Sequence, residues 1–276
     1  MFKDVCFAHL QYIIPQHLLS RLIGKLAASH SPLLKDFLIK LAIKKFKINL
    51  SDALIEDPKK YKTFNDFFTR KLKPNARIFP KNNKIIASPA DGMISQIGKI
   101  QSGEIFQAKG HMFSTLALLG GNYKEALKYQ DGHFFTIYLA PKDYHRVHMP
   151  VSGKLVSYTH IPGQLFSVNT ATANHIPNLF ARNERVCFFF ESDEGPFVII
   201  MVGAMLVASI GTPFTGILKS AKSIFTKKFT DPILLNQGDE LGFFQFGSTA
   251  IVLFPSSRDF TPSLQANDTI LCGEKI

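Results

Sequence analysis

The chain has 276 residues, 46% of them hydrophobic and 19% charged, with 26 Phe and no Trp, a balance too apolar for a disordered chain and too polar for a bundle of membrane spans. Its formal net charge of +11 points to an anionic partner; with no long Lys/Arg run, zinc-finger pattern or RNA-binding signature beside it, nucleic acid is set aside in favour of anionic lipid. Cys6, Cys187 and Cys272, odd in number and widely spaced, make neither a disulfide framework nor a zinc site, so a reducing compartment and no metal are expected.

The N-terminus, MFKDVCFAHLQYIIP, has Asp4 near its start and no small-residue cleavage pattern, which makes it a poor secretory signal. Over residues 15–47 the spacing predicts two helices, one with Leu18, Leu19, Leu22, Ile23 and Leu26 and one with Leu34, Phe37, Leu38 and Leu41. Ser31 is placed to cap the second and Pro32 suits its first position. Arg21, Lys25, Lys35, Lys40, Lys44, Lys45 and Lys47 fall on the remaining faces. An apolar stripe flanked by cations fits a helix lying in the membrane interface, and equally fits ordinary packing on a core.

Residues 57–83 read as a Pro-, Asn- and Lys-rich connector around a short helix from Phe64 to Leu72. From Lys84 the pattern becomes mainly β, with runs at His133 to Ala140, Gly153 to Ile161, Arg185 to Ser192 and Phe197 to Ile210. The last is the longest apolar run and falls short of the roughly 20 residues that span a bilayer. One helix is expected from Phe113 to Leu119, stopped by Gly120 and Gly121. Long loops are expected from Ile161 to Asn183 and from Lys219 to Gln237.

Near the C-terminus a strand-forming stretch, Gly242 to Phe254, is interrupted by Gly247-Ser248-Thr249. The interruption fits a bulge or tight bend. It also fits a chemical site, in which glycine permits a strained backbone and the Ser248 hydroxyl attacks the preceding carbonyl in an N-to-O acyl shift. A serine hydroxyl needs a base oriented by a third group for that step. Tyr144-His145-Arg146-Val147-His148-Met149-Pro150 offers two histidines, and Ser88-Pro89-Ala90-Asp91-Gly92 offers a carboxylate in a turn. Each also has a plain structural reading, as satisfied histidines and as an ordinary Asp-Gly turn.

Together with the Phe64 to Arg77 region, Pro162-Gly163-Gln164-Leu165-Phe166-Ser167-Val168-Asn169 and Asn183-Glu184-Arg185-Val186, these segments resemble the phosphatidylserine decarboxylase family in order and spacing over about residues 60 to 255. The family's cleavage motif usually has leucine where this chain has Phe246, a change that leaves the reacting atoms intact. The resemblance implies an α+β protein: a helical membrane-associating segment over residues 1–60, then a mainly antiparallel β catalytic domain over 61–276. It implies self-cleavage between Gly247 and Ser248 into chains 1–247 and 248–276, held together as a heterodimer, with homo-oligomerisation left open.

The resemblance further implies a relay in which Asp91 orients His148 and His148 takes the Ser248 proton. Ser248 then becomes a covalent pyruvoyl group that holds the amine of phosphatidylserine as a Schiff base during loss of carbon dioxide. His145 is the first choice, and His148 the second, for the acid that protonates the resulting carbon. Arg146 or a lysine is available for the lipid phosphate. The expected location is the cytoplasmic face of a bacterial membrane, as a peripheral protein. Two other readings share part of this pattern: a pyruvoyl decarboxylase of a soluble amino acid, which has no use for basic helices, and a catalytically inactive membrane-binding β module, which does not need Gly247 and Ser248.

Overall fold

The computed structural model describes residues 2–205, 209–218, 222–245 and 247–276. Three helices come first, α1 (Phe2–Leu10), α2 (Gln16–Ala27) and α3 (Pro32–Phe46), and a single-turn α4 (Phe64–Phe68) lies in the connector. Strand β1 (Gly92–Lys99) leads to a hairpin of β2 (Glu104–Ala108) and β3 (His111–Ser114) and to short helices α5 (Thr115–Leu118) and α6 (Tyr123–Leu127). Next come β4 (His133–Leu139), β5 (Arg146–His148), β6 (Gly153–Ile161), short helices α7 (Thr170–Ala173) and α8 (Leu179–Arg182), β7 (Arg185–Glu191) and β8 (Phe197–Val202). The last strands are β9 (Ile210–Thr212), β10 (Gly216–Leu218), β11 (Phe225–Leu235), β12 (Glu240–Phe244), β13 (Ser248–Phe254) and β14 (Thr269–Ile270).

The architecture is α+β and the pairing of these strands is antiparallel. One sheet has the order β11-β6-β7-β8-β13-β4-β1-β14 and a second the order β10-β9-β12-β5. The middle strands of the large sheet are apolar on both faces, and their two-residue period splits the core. Val198, Ile200, Ile251 and Leu253 meet the short helices and the hairpin, whereas Ile199, Met201, Val252 and Phe254 meet Val147, Ile210, Leu241 and Phe244 of the smaller sheet.

Several boundaries differ from those expected, each for a local reason. The span from Lys219 to Gln237 carries β11 rather than a loop. Exposed Lys227, Lys228 and Asp231 and a register shift spanning Pro232 gave it a loop-like composition, which an edge strand tolerates because one side needs no ladder partner. The apolar run after Phe197 is divided between sheets, β8 in one and β9 in the other. Phe113 belongs to β3, so the following helix starts at Thr115; it stops as expected at Gly120 and Gly121, which have φ of +71° and +84°. The Ser31 side chain forms no cap bond, although Pro32 does open α3.

The helices α2 and α3 invert the usual amphipathic arrangement. Leu18, Leu22 and Leu26 are 56%, 52% and 51% exposed, and Leu33, Phe37 and Leu41 are 87%, 63% and 49% exposed. The inward faces carry Gln16, Ser20 and Ala27 on α2 and Lys35, Ile39 and Ala42 on α3. Lys35 is therefore not on an outer face: it is buried and bonded to Asp36 and the Lys59 carbonyl. Polar side chains dock this segment, with Gln16 accepting from Leu165 N at 2.6 Å and Gln11 accepting from Ser167 N at 2.7 Å. A small apolar cluster of Ala27, Ile39, Ala42, Tyr61, Phe64, Phe67 and Phe68 joins α2 and α3 to α4.

Candidate active site

The interruption at Gly247-Ser248 is where the chain leaves one sheet for the other. β12 belongs to the four-stranded sheet and β13, beginning at Ser248, is central in the large one. The crossing occupies residues 245–247, of which Phe246 lies outside the described residues. A Cβ at Gly247 would come no nearer than 3.7 Å to the Leu139 carbonyl, an ordinary contact, so exclusion by neighbours does not require glycine there.

Register brings the other segments to the same place. Ser248 pairs with Leu139, and Thr249 with both Tyr138 and Val202, while Tyr138 also pairs with Met93 on β1. Asp91 immediately precedes β1, where Gly92 is obligatory because a Cβ would lie 2.3 Å from the Tyr138 carbonyl. The turn after Leu139 carries His145, and β5 then brings His148 opposite Glu240 of β12. Asp91, His145, His148 and Ser248 thus gather at one end of the large sheet, although up to 157 positions separate Asp91 from Ser248 in the chain (248 minus 91).

His145 is fully buried, packed on Phe68 with ring centroids 4.1 Å apart. Its Nδ1–H donates to the Asp143 carbonyl at 2.8 Å, which leaves the lone pair on Nε2, and that atom has no partner. Burial, aided slightly by the Arg70 charge, pushes its pKa down to about 3, so the imidazole is neutral. The turn is clamped by Arg70, whose Nη2 donates to the Lys142 and Asp143 carbonyls at 3.0 and 3.1 Å. Ser248 is also fully buried and its Oγ has no partner.

His148 donates from Nδ1 to the Gly238 carbonyl at 2.8 Å and accepts at Nε2 from the Tyr144 hydroxyl at 2.9 Å. Burial lowers its pKa against the opposing pull of that carbonyl, Glu240 and Asp91. Asp91 is buried and held by Arg77: Nε donates to Oδ1 at 2.8 Å and Nη2 donates to Oδ2. A third donor, the Cys272 backbone N–H, reaches Oδ1 at 2.8 Å.

Register thus places the four residues toward one end of the large sheet, yet among the described residues the hydrogen bonds Asp91–His148 and His148–Ser248 are not formed: Asp91 is held by Arg77 and Cys272 N–H, His148 by Tyr144 and Gly238, and Ser248 Oγ has no partner. Arg146, a candidate for lipid phosphate, is committed elsewhere: it donates to the Thr69 carbonyl at 2.9 and 2.7 Å and to Glu240 at 2.6 Å. Sequence reasoning missed Arg77 as the partner of Asp91 and Tyr144 as the partner of His148. Both lie in segments already marked by the family resemblance, so a signal existed without a role attached. No group of three or more His, Cys, Asp or Glu among the described residues is placed to hold a metal ion.

Two neutral buried histidines couple stability to acidity. From an ordinary value of 6.5, both His145 and His148 are depressed in the fold. Below that pH the unfolded chain binds protons that the folded chain refuses, so stability is present above about 6.5 and falls as pH drops toward 3. For His145 the loss approaches about 1.4 kcal/mol per pH unit. Urea midpoints taken from pH 7 to pH 5 should fall less steeply for His145→Gln than for the parent; equal slopes would remove His145 from this linkage.

Comparison with known proteins agrees with the geometry. The family model described as phosphatidylserine decarboxylase matches residues 64–276, and one described as PSD matches residues 6–47. A phosphatidylserine decarboxylase proenzyme of Shewanella putrefaciens is 51% identical over 251 residues, covering 89% of this chain and 87% of that protein. The proenzyme of Bordetella avium is 50% identical, covering 93% and 88%, and that of Alcanivorax borkumensis is 48% identical, covering 99% and 96%. With the family model spanning the whole β region and near-half identity extending through the N-terminal helices, the chain belongs to the phosphatidylserine decarboxylase family.

Proposed function

We propose that this chain is a proenzyme that cuts itself between Gly247 and Ser248 and, as two associated chains, converts phosphatidylserine to phosphatidylethanolamine and carbon dioxide. The observation that carries the reading is the Ser248 hydroxyl, fully buried without a partner at the change of sheet, together with an equally unpartnered His145 Nε2 on the turn that follows Leu139, the strand partner of Ser248. A buried polar atom left unsatisfied costs about 1–3 kcal/mol, an expense that structure alone does not recover.

In self-cleavage, Ser248 Oγ attacks the Gly247 carbonyl carbon, the C–N bond breaks, and His148 carries the hydroxyl proton to the departing nitrogen. His148 must exchange Tyr144 for Ser248 and turn toward Asp91, at a cost of about one neutral hydrogen bond each, roughly 1 kcal/mol. Removal of the Ser248 Cα proton then expels the Gly247 carboxylate and leaves a dehydroalanine, and its tautomer takes up water and releases ammonia to give a pyruvoyl group. Residues 248–276 stay bound without the peptide bond, because β13 is hydrogen-bonded between β8 and β4 and Ile276 N donates to Ile86 O at 3.0 Å.

The pyruvoyl group supplies an electron-accepting carbonyl for the substrate amine. His145 supplies the proton movement: neutral at Nε2, it first takes a proton from the substrate ammonium and then returns it to the carbon that has lost carbon dioxide. The exposed leucines of α2 and α3, with Arg21, Lys25, Lys40, Lys44 and Lys45 also exposed, support seating at an anionic bilayer, peripherally on the cytoplasmic face. A cleft lined by His17, Arg21, His160, Glu184 and Gly203 opens beside α2, and Gly203 directly follows Val202, the strand partner of Thr249, supporting entry from that side.

Intact mass of the purified protein together with carbon dioxide release from phosphatidylserine vesicles tests the reading: two fragments and turnover are expected, and an active uncut chain would refute it. Separately, Leu18→Ser, Leu22→Ser and Phe37→Ser combined should weaken cosedimentation with anionic vesicles about tenfold or more, with an unchanged urea midpoint because these side chains are exposed. Undiminished binding would sink the interfacial role of the helices.

A further inference from the structure

We infer that Arg77 is the positioning residue that holds the Asp91 carboxylate in charge and orientation for self-cleavage, an inference that rests on the self-cleaving role proposed above. Asp91 sits where a bare carboxylate is costly. It is 6% exposed, and burial without a partner favours neutralising such a group over keeping its charge. Arg77 answers that cost with the planar two-point fork that suits a carboxylate, Nε to Oδ1 at 2.8 Å and Nη2 to Oδ2.

The fork is itself fixed. Arg77 Nη1 donates to Asp52 Oδ2 at 3.0 Å and to the Ala76 carbonyl at 2.6 Å, so the guanidinium is anchored on both sides of the connector. The other donor to Asp91, Cys272 N–H, comes from the far side of the proposed cut and is uncharged. The remaining ionisable groups that Asp91 feels are Arg70, Asp143, Tyr144, His148 and the Cys272 thiol. Of these the one cation of fixed charge, Arg70, spends Nη2 on the His145 turn, and Asp143 opposes a second negative charge. Among the described residues, Arg77 alone is ion-paired with Asp91.

A carboxylate so held can orient the His148 imidazole and stabilise the imidazolium formed when Ser248 gives up its proton; deprived of Arg77 it loses the fork that aims it and the cation paired with it. The experiment follows self-cleavage of freshly synthesised full-length chain by gel and intact mass at pH 7. Arg77→Gln should cut about 10- to 100-fold more slowly than the parent. Arg77→Lys, which keeps the charge but not the fork, should recover most of the rate. Asp91→Asn should stay uncut.

An Arg77→Gln chain with the parent rate, while Asp91→Asn is uncut, overturns the inference and leaves self-cleavage standing. Slow cutting with no rescue by lysine, or misfolding of both Arg77 variants by circular dichroism, assigns Arg77 a structural role and also overturns it. Normal cutting by Asp91→Asn refutes the relay itself.

Discussion

Replacing Ser248 by alanine leaves one chain of 276 residues with decarboxylation at background. In the proposed self-cleavage the hydroxyl is the atom that attacks, and Thr249 cannot take over, since it would have to reach past its own amide to a different carbonyl. The result is interpretable because the substitution spares the fold. Ser248 Oγ has no hydrogen-bond partner, so its removal deletes a buried polar atom without orphaning another, a change that is neutral or stabilising. The backbone ladder from Ser248 to Leu139 is indifferent to the side chain. Intact mass, a urea midpoint no lower than that of the Asp91→Asn chain, and carbon dioxide release settle the matter together. Fragments ending at residue 247 from the alanine chain would place the nucleophile elsewhere.

The two histidines are expected to separate. His148→Ala should remain uncut and so never acquire activity. His145→Gln should cut and then turn over phosphatidylserine about 10²- to 10⁴-fold more slowly, the usual worth of a positioned acid–base group. The separation follows from where the nitrogens point. His148 already has both ring nitrogens in hydrogen bonds, one of them to Tyr144, and lies within electrostatic reach of Asp91, as a group that shuttles a proton inside the chain would. His145 instead keeps a neutral Nε2 facing no protein atom it can bond, which suits a group whose partner arrives with substrate. If both variants stop at the uncut chain, His145 belongs to processing and not to turnover. If both are cut, His148 leaves the relay.

The α2 and α3 stripes illustrate how far a sequence reaches. A three- and four-residue spacing of Leu18, Leu22 and Leu26 establishes that one face is apolar, since the helical period is a local property. Which neighbour that face meets is not local. Gln11, Gln16 and His17 dock the opposite side onto residues 163–172, and only that long-range contact turns the stripe outward. The same limit applies to β11, where lysines and Pro232 read as loop until β6 is seen to offer an edge.

At the site, Asp91, His145, His148 and Ser248 were legible as candidates, because spacing within short motifs and the break in a strand-forming run are written in consecutive residues. The tertiary structure decided the rest. The break is a change of sheet rather than a bulge, since β12 and β13 pair with different strands. Asp91 faces Arg77 and Cys272, 14 and 181 positions away, and His148 faces Gly238, 90 away. Hydrogen-bond partners at such separations depend on how sheets stack and strands register, which no local pattern encodes, whereas the chemical type of each candidate group is carried by the residue itself.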